Sequence, residues 1–351
     1  MKIILAIIFF EVLIFTQVSD TTNKKEVLIE RTKTGEVKSK KPLDTNQRKI
    51  RNKIDKSATS ISGNFPSEKT FLVSTLSAPI RKQAKTSSPI FGRFKLGEKV
   101  SLLEKKPNWS KVKSSSSEKV GWLPTEDLIE LKRDSSEKIY LQIASRNYGQ
   151  EMSFAKALEL ANFITESMTN VKTPETKAEM EFLFLLSLRK AAANYKQSSS
   201  PDEFPKKYTP FLVYDEISNR WLVSSESFWN LSEKYKELPI AERIAWEAAQ
   251  NPLPGECEGF IVCYLYRLRV TKAEYLRLYP NGEKAKQALQ DIENSLGLMI
   301  SDKYIFQKPS DVTDKADFFK LIAELRTIVS RLVFIEKERV LRQLKLLADS
   351  L

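Results

Sequence analysis

From Phe71 to Leu131 the chain is a series of short apolar segments, each closed by turn residues, ending in Lys119-Val120-Gly121-Trp122-Leu123-Pro124. Segments of that length, with β-branched and aromatic residues between turns, are strands rather than helices. Phe71-Leu72-Val73, Pro89 to Phe94, Lys99 to Leu103, Trp109 to Lys113 and Lys119 to Leu123 are the expected strands. Ala78-Pro79, Lys95-Leu96-Gly97, Pro107-Asn108 and the polar tip Ser114 to Ser117 separate them. Five short strands in about 60 residues predict a miniature β-barrel.

Ile80-Arg81, Ile90-Phe91-Gly92, Leu96-Gly97-Glu98-Lys99-Val100, Asn108-Trp109-Ser110-Lys111-Val112 and Gly121-Trp122-Leu123 follow one another in that order. In this the region resembles the bacterial Src-homology-3-like (SH3b) family, which shows an apolar-Arg pair, a Gly-x-x-Val turn, a Trp and a closing Gly-Trp. The sequence departs from the pattern after Arg81, where Lys82-Gln83-Ala84-Lys85 replaces the usual Gly or Pro. The resemblance covers about a sixth of the chain. It implies an extracytoplasmic binding module, often for peptidoglycan or a wall protein, and no chemistry.

Phe91, Phe94, Trp109 and Trp122 admit two readings. Flat rings suit a binding face, yet a barrel this small has little else to bury, and a fully buried large side chain is worth roughly 1.5 to 3 kcal/mol. Trp122 is expected in the core, while for Trp109, beside the Pro-Asn turn, both readings stand. Arg81, Lys82, Lys85 and Arg93 are the expected surface residues, and with Trp109 they form the expected ligand-binding set.

After Asp134 the texture changes to long stretches of Ala, Glu, Lys and Leu punctuated by Pro. Phe154, Ala157, Leu158, Ala161, Ile164 and Met168 keep a helical period. So do Ile261, Tyr264, Leu265, Leu268, Tyr275, Leu276 and Tyr279, and then Ala285, Ala288, Leu289, Ile292 and Leu296. A last helix is expected to run without Gly or Pro from about Asp314 to the end. Phe211 to Tyr214 and Arg220 to Val223, on either side of Ser218-Asn219, predict a small hairpin among the helices. Tyr235-x-x-Leu238-Pro239 with Ala241, Ala245 and Ala248 is echoed by Tyr275-x-x-x-Tyr279-Pro280 with Ala285 and Ala288. The second copy resembles the tetratricopeptide-type hairpins of envelope proteins, and a plain helical bundle accounts for the pattern equally well. The expected fold class is therefore multidomain α+β: a small SH3-like β-barrel over residues 70–132, then a mainly α-helical domain over 135–351 with a short β-hairpin insert.

At its start the chain gives Met1-Lys2, an apolar stretch from Ile3 to Phe15 and the small polar run Thr16-Gln17-Val18-Ser19. This predicts a secretory signal over residues 1–19, and Glu11 within the apolar stretch leaves open an uncleaved membrane tether. Residues 20–69, rich in Lys, Thr, Ser and Asn, are expected to form a disordered basic linker, because they bury too little apolar surface to offset backbone ordering. Residues 1–131 carry 25 Lys and Arg against 14 Asp and Glu, so nearly all of the net charge of +12 sits there. Such a front is either attracted to anionic wall polymers and lipid head groups or simply solvates a flexible segment. The expected address is the periplasm or cell envelope, the expected partner peptidoglycan or an envelope protein, and nucleic acid is set aside by export.

The chain has no His. That removes the Cys-His and Ser-His nucleophile systems and zinc sites built on imidazole, and no cofactor or metal is expected. Cys257 and Cys263 are the only cysteines. In one continuous helix they would lie about 9 Å apart along the axis and on different faces, too far to bridge. A disulfide thus requires a loop before Cys263, which Pro252, Pro254, Gly255 and Gly259 supply. An oxidised structural pair fits export, with free thiols or a catalytic cysteine as the other readings. Glu166-Ser167 faintly resembles the Glu-Ser pair of lytic transglycosylases, and Glu256 and Glu258 flank Cys257. A carboxylate-dependent peptidoglycan glycosidase is the rival to a non-enzymatic binding and scaffold protein, whose helical domain serves as an interaction platform.

Overall fold

The computed structural model describes residues 69–196, 203–302 and 305–351. The leader of residues 1–19 and the linker of 20–69, Lys69 apart, lie outside them. Seven strands form one curled antiparallel sheet: β1 (Thr70–Val73), β2 (Ala78–Arg81), β3 (Ile90–Phe94), β4 (Lys99–Lys106), β5 (Trp109–Ser114), β6 (Val120–Pro124) and β7 (Leu128–Glu130). Their order across the sheet is β3-β2-β6-β5-β4-β1-β7. Val73, Ala78, Ile80, Phe94, Val100, Val112 and Leu123 fill its interior.

Two of these strands were not expected. Ala78-Pro79 is the start of β2 and not a turn, and Leu128–Glu130 adds β7 against β1. Pro79 is tolerated because β2 meets β6 only at Arg81 and Trp122, so at Pro79 the strand has β3 alone as neighbour. The turn into β2 falls one residue earlier, at Ser77, whose φ is +52°. Asn108, at φ +63°, makes the tight turn between β4 and β5.

The helical part opens with α1 (Ser136–Tyr148), α2 (Phe154–Ser167) and α3 (Pro174–Asn194). Ser153 caps α2 by accepting from the Lys156 N–H, and Pro174 sits in the first turn of α3, where a missing N–H costs nothing. α4 (Glu203–Tyr208) leads into the expected hairpin, β8 (Leu212–Asp215) and β9 (Arg220–Val223), whose first strand starts one residue later than expected and which turns at Asn219 with φ +52°. There follow α5 (Ser225–Lys234), α6 (Ile240–Gln250), α7 (Ile261–Val270), α8 (Lys272–Leu278), α9 (Ala285–Ser301), α10 (Val312–Ser330) and α11 (Lys337–Ala348). α5–α6 and α8–α9 are the helix pairs around the two Pro-centred echoes.

Two expected single helices are broken. The period from Ile261 to Tyr279 is split at Thr271, whose backbone leaves the helical region while its hydroxyl donates to the Arg267 carbonyl at 2.6 Å. The expected terminal helix ends at Ser330 and resumes at Lys337, which lets α11 pack against both α9 and α10. The Lys337 ammonium caps the freed end, donating to the carbonyls of Ser330 at 3.1 Å and Leu332 at 2.8 Å.

Two cores organise the helices. The first joins α1 to α6 and takes in Leu72 of β1 with Leu76 and Leu96 of two turns of the barrel. The second runs from α6 to α11. Helix α6 serves both, with Ile240, Ile244 and Ala248 turned to the first and Ala245, Trp246 and Ala249 to the second.

Candidate ligand-binding face of the barrel

Alternation along β5 and β6 sorts their side chains. Ser110, Val112, Ser114 and Leu123 face inward, and Trp109, Lys111, Lys113 and Trp122 face out. Register then assembles the outer face. Trp122 is paired with Arg81 on one side and Lys111 on the other, and Lys111 is paired with Glu104 beyond it. In the next row Trp109 lies between Pro124 and Lys106. The result is two indoles set among Arg81, Lys106 and Lys111, with Lys113 in the row on the other side.

Trp122 is only 6% exposed although it is on the outer side of the sheet. The Lys106 ammonium lies 4.8 Å from its ring centroid, where a cation is attracted to the negative ring face. Trp109 is half-buried and Phe94 is buried in the interior, while Phe91 is 51% exposed. Phe91 thus leaves the interior set and leans over β6: its Cζ lies 3.0 Å from where a Cβ on Gly121 would stand, and Ile80 Cγ2 only 2.3 Å from it. No residue with a side chain fits at Gly121 without moving β2 or β3, which is the physical need behind the Gly of the Gly-Trp pair.

The four basic residues singled out by sequence divide into two pairs. Arg81 donates a guanidinium N–H to the Ser88 carbonyl at 2.6 Å, and Arg93 one to the Ser77 carbonyl at 2.8 Å. Both brace neighbouring loops as well as bearing charge. Lys82 and Lys85 stand exposed on the β2–β3 loop, with no ion pair among the described residues. That loop, where the sequence departs from the family pattern, is held by Arg81 and by Ser88, whose buried hydroxyl accepts from the Gln83 N–H at 3.0 Å. Lys106 and Lys111 were missed by the sequence reading, although the Trp109-x-Lys111-x-Lys113 alternation carries the signal. The barrel's acids offset little: Glu104 meets Lys106 at 3.5 Å and Glu118 meets Lys113 at 3.7 Å, both in solvent.

Elsewhere, Cys257 and Cys263 form the expected disulfide, with Cys257 in the loop before α7 and Cys263 in its first turn. Gly255 and Gly259 adopt φ of +74° and +85° there. Glu166, Glu256 and Glu258 are all exposed, whereas a glycosidase acid requires a cleft that raises its pKa. Ser167 is buried. Among the described residues no group of three His, Cys, Asp or Glu is placed to hold a metal ion.

Residues 76–130 match the family model of the bacterial SH3 domain. The chain therefore carries a bacterial SH3 domain, with β1 preceding the matched stretch and the helical part following it. Comparison with curated proteins and with solved structures gives no match.

Proposed function

We propose that this chain is an exported, non-enzymatic binding protein of the bacterial cell envelope. Its barrel holds cell-wall material or an envelope protein, and its helical part serves as an interaction platform. The observation that carries the reading is the outer face of a bacterial SH3 domain on which the half-buried Trp109 lies among Arg81, Lys106 and Lys111, with Trp122 covered beneath Lys106. Peptidoglycan offers the complementary chemistry: sugar rings with flat apolar faces and peptide carboxylates within reach of ammonium groups. The leader pattern of residues 1–19 supports the address, and the absence of His supports a binder over the usual wall amidases.

The test is co-sedimentation of the purified protein with isolated wall. Sedimentation is expected at low salt and to weaken at high salt, since exposed charges are screened over about 8 Å at physiological ionic strength. Replacing Lys106, Lys111 and Lys113 together by Gln, all on that face and none in the interior, is expected to weaken binding about tenfold, at up to about 1 kcal/mol for each exposed ion pair. Salt-independent sedimentation that survives the triple substitution would remove this face from consideration. Release of soluble wall fragments would instead support the glycosidase reading.

A further inference from the structure

The helical part contains a groove of about 770 Å³ that no barrel residue lines. It runs between α2, α3 and α5, closed at one side by the turn after α4. Ile164, Leu185 and Leu231 are buried along it. Beside them Phe184 stands edge-on to Phe211 at 5.2 Å and tilted against Tyr208 at 6.1 Å. Sites of about 300–1,000 Å³ with apolar walls and few polar groups are those that enclose small organic ligands.

Two ammonium groups stand at its rim, and their surroundings differ. Lys234 is neutralised, meeting both oxygens of Glu181 at 2.7 and 2.8 Å. Lys207 is exposed and donates to the amide oxygen of Asn162 at 2.7 Å, an oxygen that also accepts from the Tyr208 hydroxyl at 2.8 Å. Its other neighbour is the Tyr208 ring, 5.1 Å away. Among the described residues no carboxylate lies within ion-pair distance of Lys207. An apolar groove thus carries at its edge one cation whose partners among the described residues are neutral.

We propose that this groove binds a single-chain anionic amphiphile, a linear hydrocarbon ending in a carboxylate. The chain lies against Met168, Phe184 and Phe211, apolar side chains of the lining that keep exposed surface, over a floor of Ile164, Leu185 and Leu231, and the head pairs with Lys207. A hydrocarbon asks for no hydrogen-bond partner, which suits walls built of rings and aliphatic side chains. An anionic end supplies a charged acceptor for the remaining N–H groups of Lys207, which none of the described residues gives it.

Titration calorimetry of the full chain with decanoate, dodecanoate and tetradecanoate, below their micelle concentrations, tests this. One site is expected, with affinity rising about three- to fourfold for each added methylene, as transfer of hydrocarbon out of water dictates. Lys207→Gln is expected to lower dodecanoate affinity about tenfold, the size of a hydrogen bond to a charged group. Dodecanol is expected to bind wild type and this variant alike. Asn230→Trp, an exposed rim position, fills the mouth and is expected to abolish binding with the thermal midpoint unchanged. Equal affinity for dodecanol and dodecanoate in wild type overturns the assignment of the head to Lys207. Binding indifferent to both substitutions, such as capture by the apolar stretch near the N-terminus, overturns the groove as the site. Should Asn230→Trp lose its fold, the dodecanol comparison in Lys207→Gln still decides.

Discussion

Asn147, near the end of α1, is fully buried and uses its amide oxygen and one amide N–H to join barrel to helices. Its nitrogen donates to the Ser74 carbonyl and to the Ile143 carbonyl, both at 2.8 Å, and its oxygen accepts from the Leu76 N–H at 3.3 Å. Glu159 on α2 does the same from the other side, accepting from the N–H groups of Ser77 at 3.1 Å and Leu96 at 2.8 Å. Loop backbone pressed against helices must find such partners, because an unpaired buried polar group costs about 1–3 kcal/mol. Asn147→Ala strands the Leu76 N–H and the Ser74 carbonyl together. It is therefore expected to destabilise the protein by about 2–4 kcal/mol, read as a shift in the denaturant midpoint at unchanged slope. A loss below half a kcal/mol would mean that water replaces the amide. None of this was legible in Arg146-Asn147-Tyr148, which reads as the polar end of a helix. The barrel partners of Asn147 lie 71 and 73 positions away, and no local pattern encodes them.

At the scale of elements, the ring closed by Cys257 and Cys263 is a small clasp between the two cores. On one side the Gly255 N–H donates to the buried Asp215 carboxylate at 2.8 Å, which ties the loop to the β8–β9 hairpin. That carboxyl is held below the usual range, first by the Ser218 hydroxyl and then by the Gly255 N–H. Arg267 of α7 gathers the loop from below, donating to the carbonyls of Pro254 at 2.9 Å and Gly255 at 2.6 Å. On the other side Gly259 and Ile261 exchange backbone hydrogen bonds with Gln307, at 2.8 and 3.2 Å. Reducing the disulfide frees a ring whose closure is worth roughly 2 kcal/mol in the chain-entropy model. Hydrogen exchange of the Gly255, Ile261 and Gln307 amides is accordingly expected to accelerate about 30-fold on reduction, while barrel amides stay unchanged. Unchanged exchange at Gly255 and Gln307 would show that the hydrogen bonds hold the loop without the crosslink. The clasp was legible in sequence because helix geometry forbids the pair inside one helix, and Pro and Gly supply the loop. The breaks at Thr271 and after Ser330 were not, since no Pro or Gly marks them and tertiary packing alone sets where α8 and α11 turn back.

For the whole molecule, the decisive feature is that the barrel has two apolar surfaces. Its character as a small barrel was legible, but of the aromatic residues weighed for its interior only Phe94 lies there, Trp122 being buried on the outer side and Phe91 exposed. The second surface, Leu72, Leu76 and Leu96, was not legible, because these residues sit in a strand and two turns where any small barrel has apolar side chains. All three are at most 5% exposed, covered by a core that includes Ile139, Ile143, Leu160 and Phe163. Contact there is close: a Cβ at Gly97 would lie 2.4 Å from the Phe163 ring, and φ at Gly97 is +76°. Full burial of a Leu is worth about 1.5–3 kcal/mol, so stripping the cover from three of them removes about 4–9 kcal/mol. A core of some 60 residues supplies only about 3–5 kcal/mol in all. A fragment of residues 69–131 is therefore expected to be mostly unfolded or self-associating, with poorly dispersed amide resonances. One of residues 69–250, which restores α1 to α6, is expected to recover the dispersed spectrum and a cooperative melt. If the short fragment instead melts cooperatively as a monomer, the barrel is an autonomous module and the helices only lean on it. The distinction bears on binding, because a barrel that folds only on its helices presents Trp109, Lys106 and Lys111 in one fixed orientation relative to the groove beside Lys207.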